Sequence, residues 1–153
     1  MSIHARLREL GLTLPAAAAP IASYVPVVVC HEMAHVSGQL PFVDGELVTG
    51  RLGEDLSLEQ GQRAAQACAL MILAQLEAAQ IPLDRIERVV KVGAFVACTP
   101  DFTDQPKVAN GASELLFNVL GEAGRHARSA VGVSALPLRA AVEVDAVIAL
   151  KPA

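Results

Sequence analysis

The sequence is poor in aromatic and charged residues. It has one Tyr, no Trp and four Phe in 153 residues, and charged residues make up 18%, below the roughly 25% usual for soluble domains. Surfaces that bind nucleic acid without sequence preference combine clustered Lys and Arg with stacking rings, whereas this chain has a net charge of −4. The composition therefore disfavours DNA or RNA as a partner. Hydrophobic residues make up 53%, which favours an oligomer that covers apolar surface.

Cysteines and long apolar runs are also scarce. Cys30, Cys68 and Cys98 lie far apart and form no CxxC pair, so we expect free buried thiols rather than a zinc or redox motif. The four histidines lack the spacing of a metal site, and no metal is predicted. The apolar run 14–22 contains two prolines and is shorter than the roughly 20 residues of a membrane span. With no signal-peptide pattern, the sequence predicts a cytoplasmic protein without a membrane partner.

Hydrophobic periodicity predicts an α/β (α+β) domain over 24–153, preceded by an N-terminal arm over 1–23 that starts as a short helix. The predicted order is β-β-(β)-α-β-α-β-β, with strands over 24–30, 34–38, 86–98, 127–135 and 140–150, and helices over 57–80 and 103–120. Asp44-Gly45 is a turn signal before a short strand near 47–49, and side chains in the strand over 140–150 alternate between an apolar and a less apolar face. Ser57 and Gln60 match a capping box at the start of the first long helix. Two helices on one face of a mixed sheet is the natural two-layer solution for this order.

Arg128 and Glu143 are the candidates for chemistry, because they lie on two successive predicted strands that could bring them close. A guanidinium binds a carboxylate with two parallel hydrogen bonds, and a neighbouring carboxylate can activate a water molecule. From spacing alone, a surface ion pair is the more frequent arrangement of such residues. Ser37 could be a nucleophile, but no G-x-S-x-G elbow surrounds it.

Three short segments have a combination of residues and spacing that is typical of a known family. Residues 36–41 read Val-Ser-Gly-Gln-Leu-Pro, residues 127–129 read Ala-Arg-Ser, and residues 136–146 run from Leu-Pro to Val-Glu-Val-Asp-Ala. They resemble the v-S-G-Q-i-P, P-A-R-S and L-P-x-x-a-x-v-E-i-e-A signatures of the Rid (reactive intermediate deaminase), or YjgF-like, family. The resemblance covers about residues 24–150 in order and without large gaps.

The resemblance implies a chorismate-mutase-like fold, a homotrimer with a barrel-like core, and clefts between subunits that bind small carboxylate metabolites without a metal or organic cofactor. The implied activity is hydrolysis of 2-imino acids, or their enamine forms, to 2-keto acids and ammonia. Arg128 falls on the arginine that holds the substrate carboxylate, and Glu143 on the glutamate that positions or activates water. Tyr24, Ser37 and Asn110 fall on residues that line the cleft.

Two positions depart from the pattern of the deaminase branch, and in this the chain resembles a less characterised branch of the family. Ala130 stands where that branch has a cysteine, and His126 stands where the family has a proline. A non-catalytic trimer that binds a small carboxylate metabolite is therefore a second hypothesis, since Arg128 serves binding as well as catalysis. Chorismate mutase chemistry, which needs several cationic groups, and ribonuclease activity, which suits a basic surface, fit the sequence less well.

Overall fold

The computed structural model describes residues 1–20 and 22–153. Within this part of the chain, the helices are α1 (Ile3–Glu9), α2 (Leu58–Ala78) and α3 (Gln105–Leu120), and the strands are β1 (Val27–Cys30), β2 (Met33–Gln39), β3 (Phe42–Val43), β4 (Glu46–Leu47), β5 (Ile86–Ala97), β6 (Ala127–Val133) and β7 (Val142–Leu150). The predicted mixed α+β fold is confirmed, with α2 and α3 packed on one face of a mixed sheet.

The main sheet has the strand order β1-β2-β7-β5-β6 among the described residues. Only the β5–β6 pair in this sheet is parallel. Strand β1 starts directly after Pro26 and lies at one edge, where the missing N–H of a proline is tolerated. Strands β3 and β4 form a separate hairpin around Asp44 and Gly45, which both have positive φ. The turn predicted there is confirmed, and the short strand ends at Leu47 rather than Thr49.

Helix α2 begins with the capping box that the sequence predicts. The Ser57 hydroxyl accepts a hydrogen bond from the Gln60 backbone N–H, and the Gln60 side chain accepts one from the Ser57 N–H. Helix α3 crosses α2 so closely that a Cβ on Gly111 would lie 2.0 Å from the Gln62 carbonyl oxygen. Small residues at this crossing let the two helices cover the sheet as one layer.

Strand β7 alternates between a buried and a half-buried side chain at each residue, as predicted. Val142, Val144 and Ala146 are buried in the core, so Glu143 and Asp145 lie on the opposite sheet face. That face, which we call the open face, has no covering layer within the described chain and includes Val28, Met33, Lys91, Phe95, Val131 and Val147. Two of its valines, Val28 and Val131, are 51% and 46% exposed.

The N-terminal arm is packed on the domain. Leu7 of α1 is 3% exposed and joins the core cluster, and the extended segment after α1 reaches α2, where Gln75 donates a 2.7 Å hydrogen bond to the Ala18 carbonyl. Cys68 and Cys98 are buried, but Cys30 is exposed because it ends an edge strand. The expectation that all three thiols are buried is wrong at that position. No helix in residues 1–20 and 22–153 is long and apolar enough to cross a membrane.

Candidate functional site

Arg128 lies near the start of edge strand β6 and points toward α3. Its Nη1 donates to Asn110 Oδ1 at 2.9 Å and to Ser113 Oγ at 3.0 Å, and its Nη2 donates to the Pro106 carbonyl at 3.3 Å. Arg128 lines a cavity of about 570 Å³ with Ser113, Glu114, Phe117, Asn118, Gly124, Arg125 and His126. We call this cavity the Arg128 pocket. Helix α3 thus holds the guanidinium by three acceptors, and one of these, Ser113, also lines the pocket.

His126 extends the hydrogen bonds of the Arg128 pocket. Its Nδ1 lies 2.6 Å from the Gly124 carbonyl oxygen, and its Nε2 lies 2.8 Å from Ser113 Oγ. Burial lowers the pKa of His126 below its usual value, the hydrogen bond to Gly124 opposes that change, and the positive charge of Arg128 adds to it. The imidazole is therefore neutral at pH 7.

Glu143, Ser37 and Tyr24 line a second cavity, of about 280 Å³, between the arm and the end of the sheet. We call it the Glu143 pocket. Ser37 and Gly38 lie in an irregular stretch of β2 between its paired residues Val36 and Gln39. Such a bulge re-aims the side chains of a strand. The motif predicted to line the cleft is therefore held at this pocket by a local distortion of the sheet.

Two buried glutamines form hydrogen bonds with each other and with the backbone at the Glu143 pocket. Gln75 of α2 donates to Gln39 Oε1 at 3.1 Å, and Gln39 donates to the Ser37 carbonyl at 3.0 Å. Both side chains are nearly inaccessible, at 4% and 5% exposed. Because a buried amide is costly to leave unpaired, this network specifies the path of the chain at Ser37.

The carboxyl of Glu143 has an environment that favours its protonated form. Burial raises its pKa above the usual value, and the negative charge of Asp145 raises it further. Asp145 lies two residues along the same strand, on the same open face. Burial raises the pKa of Asp145 as well, while a hydrogen bond from the Gly93 N–H and the charge of Lys91 oppose that rise. The open face therefore carries two carboxyl groups that bind protons more tightly than in water.

The structure does not bring Arg128 and Glu143 together within one chain. Strand β5 lies between β6 and β7. Arg128 pairs with Val92, which is buried under the helices, whereas Glu143 pairs with Phe95 on the open face. The expectation that adjacent strands place the two side chains close is therefore wrong for a single chain. Of the predicted site residues, Arg128 contacts Asn110 on the helix side of the sheet. Glu143, Tyr24 and Ser37 line the Glu143 pocket instead.

Comparison with known proteins decides the family. A family model described as "YjgF/chorismate mutase-like, putative endoribonuclease" matches residues 4–149. The chain belongs to the YjgF/chorismate mutase-like family. The resemblance read from its motifs is confirmed, and the match begins within α1, so it includes most of the N-terminal arm.

Individual relatives match the chain over nearly its whole length. Protein TCP17 of Trypanosoma cruzi is 54% identical over 150 residues, which are 97% of this chain and 94% of the relative. The crystal structure of protein Atu1372 from Agrobacterium tumefaciens is 48% identical with a TM-score of 0.91, and covers 98% of this chain and 94% of its own. A structure from Shewanella oneidensis described as a putative endoribonuclease is 32% identical with a TM-score of 0.94, covering 98% and 100%.

Three residues around the two pockets were missed by sequence reasoning. Ser113 and Gln75 lie within helices, where the sequence gives no sign that they contact a pocket. The sequence marks His126 as a histidine without metal-site spacing and as the residue that replaces the proline of the YjgF-family motif two residues before Arg128, and neither gives it a role at the site. That replacement is the one signal in the sequence that could have indicated a polar contact beside the arginine.

Proposed function

We propose that this protein hydrolyses reactive 2-imino acids, and their enamine forms, to 2-keto acids and ammonia in clefts between subunits of a homotrimer. The observation that carries the proposal is the hydrogen bonding of the Arg128 guanidinium. Three of its five N–H groups have acceptors among the described residues, which leaves the Nε–H and one Nη2–H. Nε and Nη2 lie on one edge of the guanidinium, where a carboxylate can accept two parallel hydrogen bonds.

The second half of the cleft is the Glu143 pocket. Its acidic group is half-buried and has a raised pKa, which is the condition that suits a carboxyl to proton transfer near neutral pH. The Tyr24 side chain, 45% exposed, and the Ser37 hydroxyl supply polar groups for a substrate at the mouth. Both residues, like Asn110, are proposed to contact or position the bound molecule.

A single site requires two chains because Arg128 and Glu143 lie on opposite faces of the sheet. The open face gives a reason for the chains to associate, since it carries half-exposed apolar side chains with no layer above them in the described chain. Covering such a surface is favourable. In a closed homotrimer, each Arg128 pocket at the β6 edge would face the Glu143 pocket of a neighbour, giving three equivalent clefts.

The chemistry then follows from the charges. Arg128 holds the carboxylate of the substrate, which places the protonated imine carbon at the Glu143 side of the cleft. Glu143 accepts a proton from a water molecule as the new C–O bond forms. Glu143 then returns this proton to the amino group of the resulting carbinolamine, and the C–N bond breaks to release ammonia. The hydroxyl oxygen forms the carbonyl of the 2-keto acid, and its proton passes to the departing ammonia, which leaves as ammonium. One positioned acid–base group supplies about 10²- to 10⁴-fold, and this reaction needs only modest help because the imine is already electrophilic.

Binding without turnover is the second candidate, and Ala130 is the observation that favours it. This residue lies two positions after Arg128 on β6 and offers no reactive group where the deaminase branch has a cysteine. A cleft with the arginine anchor alone would still hold a small carboxylate metabolite. The endoribonuclease activity in the family description has less support, because the net charge of −4 does not favour a polyanionic substrate.

The test is the release of 2-keto acid from freshly generated 2-iminobutanoate and 2-iminopropanoate. We expect the wild-type protein to accelerate release, Arg128→Ala to lose the acceleration, and Glu143→Gln to lose it while still binding 2-oxobutanoate. Arg128→Lys keeps the charge but not the planar fork, so it should recover only part of the activity. Binding of 2-oxobutanoate without any acceleration by a folded oligomer would leave the metabolite-binding function in place of the hydrolase.

A further inference from the structure

The residues behind Arg128 form a hydrogen-bond chain whose direction can be assigned. The Gly124 carbonyl can only accept, so His126 Nδ1 carries the proton at the 2.6 Å contact. In a neutral imidazole the other nitrogen is then an acceptor, and the Ser113 hydroxyl donates to it at 2.8 Å. Ser113 Oγ in turn accepts from Arg128 Nη1 at 3.0 Å. Each group donates to the next, from the guanidinium to the backbone carbonyl.

We propose that Ser113 and His126 are positioning residues that orient Arg128 and make its affinity for a carboxylate depend on pH. The inference rests on the proposed role of Arg128 as the anion anchor. The guanidinium is held from α3 by Asn110 and Ser113, and the hydroxyl of Ser113 can keep one direction only while His126 accepts its proton. His126 therefore controls one of the two side-chain acceptors of Arg128 through the Ser113 hydroxyl.

Protonation of His126 changes the charge of the pocket. Nε2 then becomes a donor, so the Ser113 hydroxyl must turn and its oxygen must accept from both His126 and Arg128. Two positive charges then face each other across one oxygen atom. A carboxylate bound to Arg128 would offset that repulsion, so it should bind more tightly to the protonated state. By linkage, the bound carboxylate raises the pKa of His126 to the same extent.

Other charged groups near His126 do not replace it in this role. Glu114 of α3 and Arg125, between α3 and β6, line the same pocket, and Arg125 is paired with Glu122 at 3.0 Å. Arg88 of β5 donates to the Arg125 carbonyl. None of these groups forms a hydrogen bond with Ser113 or the Arg128 side chain among the described residues, whereas His126 contacts Ser113, and a histidine whose pKa is lowered gains its proton below neutral pH. Glu143 of the neighbouring chain is the other group in the cleft that could titrate there.

The first experiment measures the affinity of 2-oxobutanoate by calorimetry between about pH 5 and pH 8, across the titration range of a histidine. We expect the wild-type affinity to rise as the pH falls. Ser113→Ala should weaken binding by roughly three- to tenfold, the equivalent of one hydrogen bond, and Ser113→Thr, which keeps a hydroxyl, should restore it. His126→Gln keeps a hydrogen-bonding group near the position of Nε2 but cannot titrate, so it should bind with little pH dependence.

Two controls separate the possible failures. If Arg128→Ala binds 2-oxobutanoate as the wild type does, the proposed function itself fails. If Arg128→Ala loses binding but Ser113→Ala and His126→Gln keep the wild-type affinity and pH dependence, only the positioning role is overturned. Glu143→Gln identifies the titrating group: a pH dependence that disappears in this variant and survives in His126→Gln also overturns the inference.

A measurement on the unmodified protein covers the case in which a variant does not fold. The imidazole signals of the four histidines can be followed by NMR through a pH titration with and without 2-oxobutanoate. The pKa of the half-buried His126 should rise when the anion is added. A titration that is the same for all four with and without bound 2-oxobutanoate would contradict the coupling.

Discussion

The carboxyl group of Glu143 lies directly over the Cα of Gly38. A Cβ built on Gly38 would stand 2.6 Å from both Cδ and Oε2 of Glu143, closer than real Cβ contacts allow. The glycine of the Ser-Gly-Gln segment therefore provides the space in which the carboxyl rests. Since Glu143 is the proposed proton acceptor, a backbone feature of β2 determines where the acid–base group of β7 can lie.

Gly38→Ala should lower the activity with little change in stability. The added methyl group meets the end of a flexible side chain, so Glu143 can rotate away at a small cost in the free energy of unfolding. The carboxyl then leaves its position, and we expect 2-keto acid release to fall by at least tenfold while the melting temperature changes by only a few degrees. Thermal unfolding and the release assay on the same preparation test this. A large drop in melting temperature would show that Gly38 serves folding instead.

Mixing two inactive variants should restore activity. If each cleft takes Arg128 from one chain and Glu143 from its neighbour, an Arg128→Ala chain beside a Glu143→Gln chain can form an intact interface. Every mixed trimer of the two chains has one intact interface in three, so co-expressed trimers purified on a tag from each chain should recover up to about a third of wild-type activity. Oligomers of either variant alone are the control. Mixed oligomers with no more activity than the controls would show that both residues act from the same chain.

Asp145→Asn should move the pH profile of the reaction toward acid. The negative charge of Asp145 raises the pKa of Glu143, and Asn can still accept the Gly93 N–H. Without that charge the carboxyl of Glu143 ionises at lower pH, so the acidic limb of the activity profile should shift downward. Asp101→Asn removes the same charge from an exposed loop and should leave the profile in place.

The same variant gives a prediction for stability. Because the pKa of Asp145 is raised in the folded protein, the folded state holds a proton more tightly than the unfolded chain between the two pKa values. Wild-type stability therefore falls as the pH rises through that interval. Asp145→Asn should therefore be more stable than wild type at a pH above the folded-state pKa of Asp145. Below the unfolded-state pKa of Asp145, the two proteins should have similar stability. Chemical denaturation at acidic and neutral pH measures the difference, and equal stability at both would contradict the burial argument.

Gly111→Ala should destabilise the protein although alanine favours helices. A Cβ at this position would lie 2.0 Å from the Gln62 carbonyl oxygen, and backbone atoms in a helix cannot move aside locally. We expect a loss of about 1–3 kcal/mol in the free energy of unfolding. Gly61→Ala is the matched control, because its Cβ would meet side-chain methyl groups of Leu52 and Val108, which can adjust. A similar effect of both substitutions would rule out close helix packing as the cause.

Local signals in the sequence are enough to predict the elements of the fold. The period-two pattern of residues 142–150, the capping box at Ser57 and the turn at Asp44-Gly45 each predicted the local structure that is found, because these signals act between residues close in the chain. Family membership was equally accessible, since it depends on motifs that are read in order. These signals are local, and they do not say which strand lies beside which.

Tertiary structure decided the organisation of the candidate site. Placing β5 between β6 and β7 separated Arg128 from Glu143 and turned them to opposite faces, a result of pairing between strands far apart in sequence. It also brought Ser113 to His126 and Arg128, and Gln75 to Gln39 beside Ser37, through packing of helices on the sheet. Hydrogen bonds of this kind depend on positions in space to within an ångström, and no spacing along the chain encodes them.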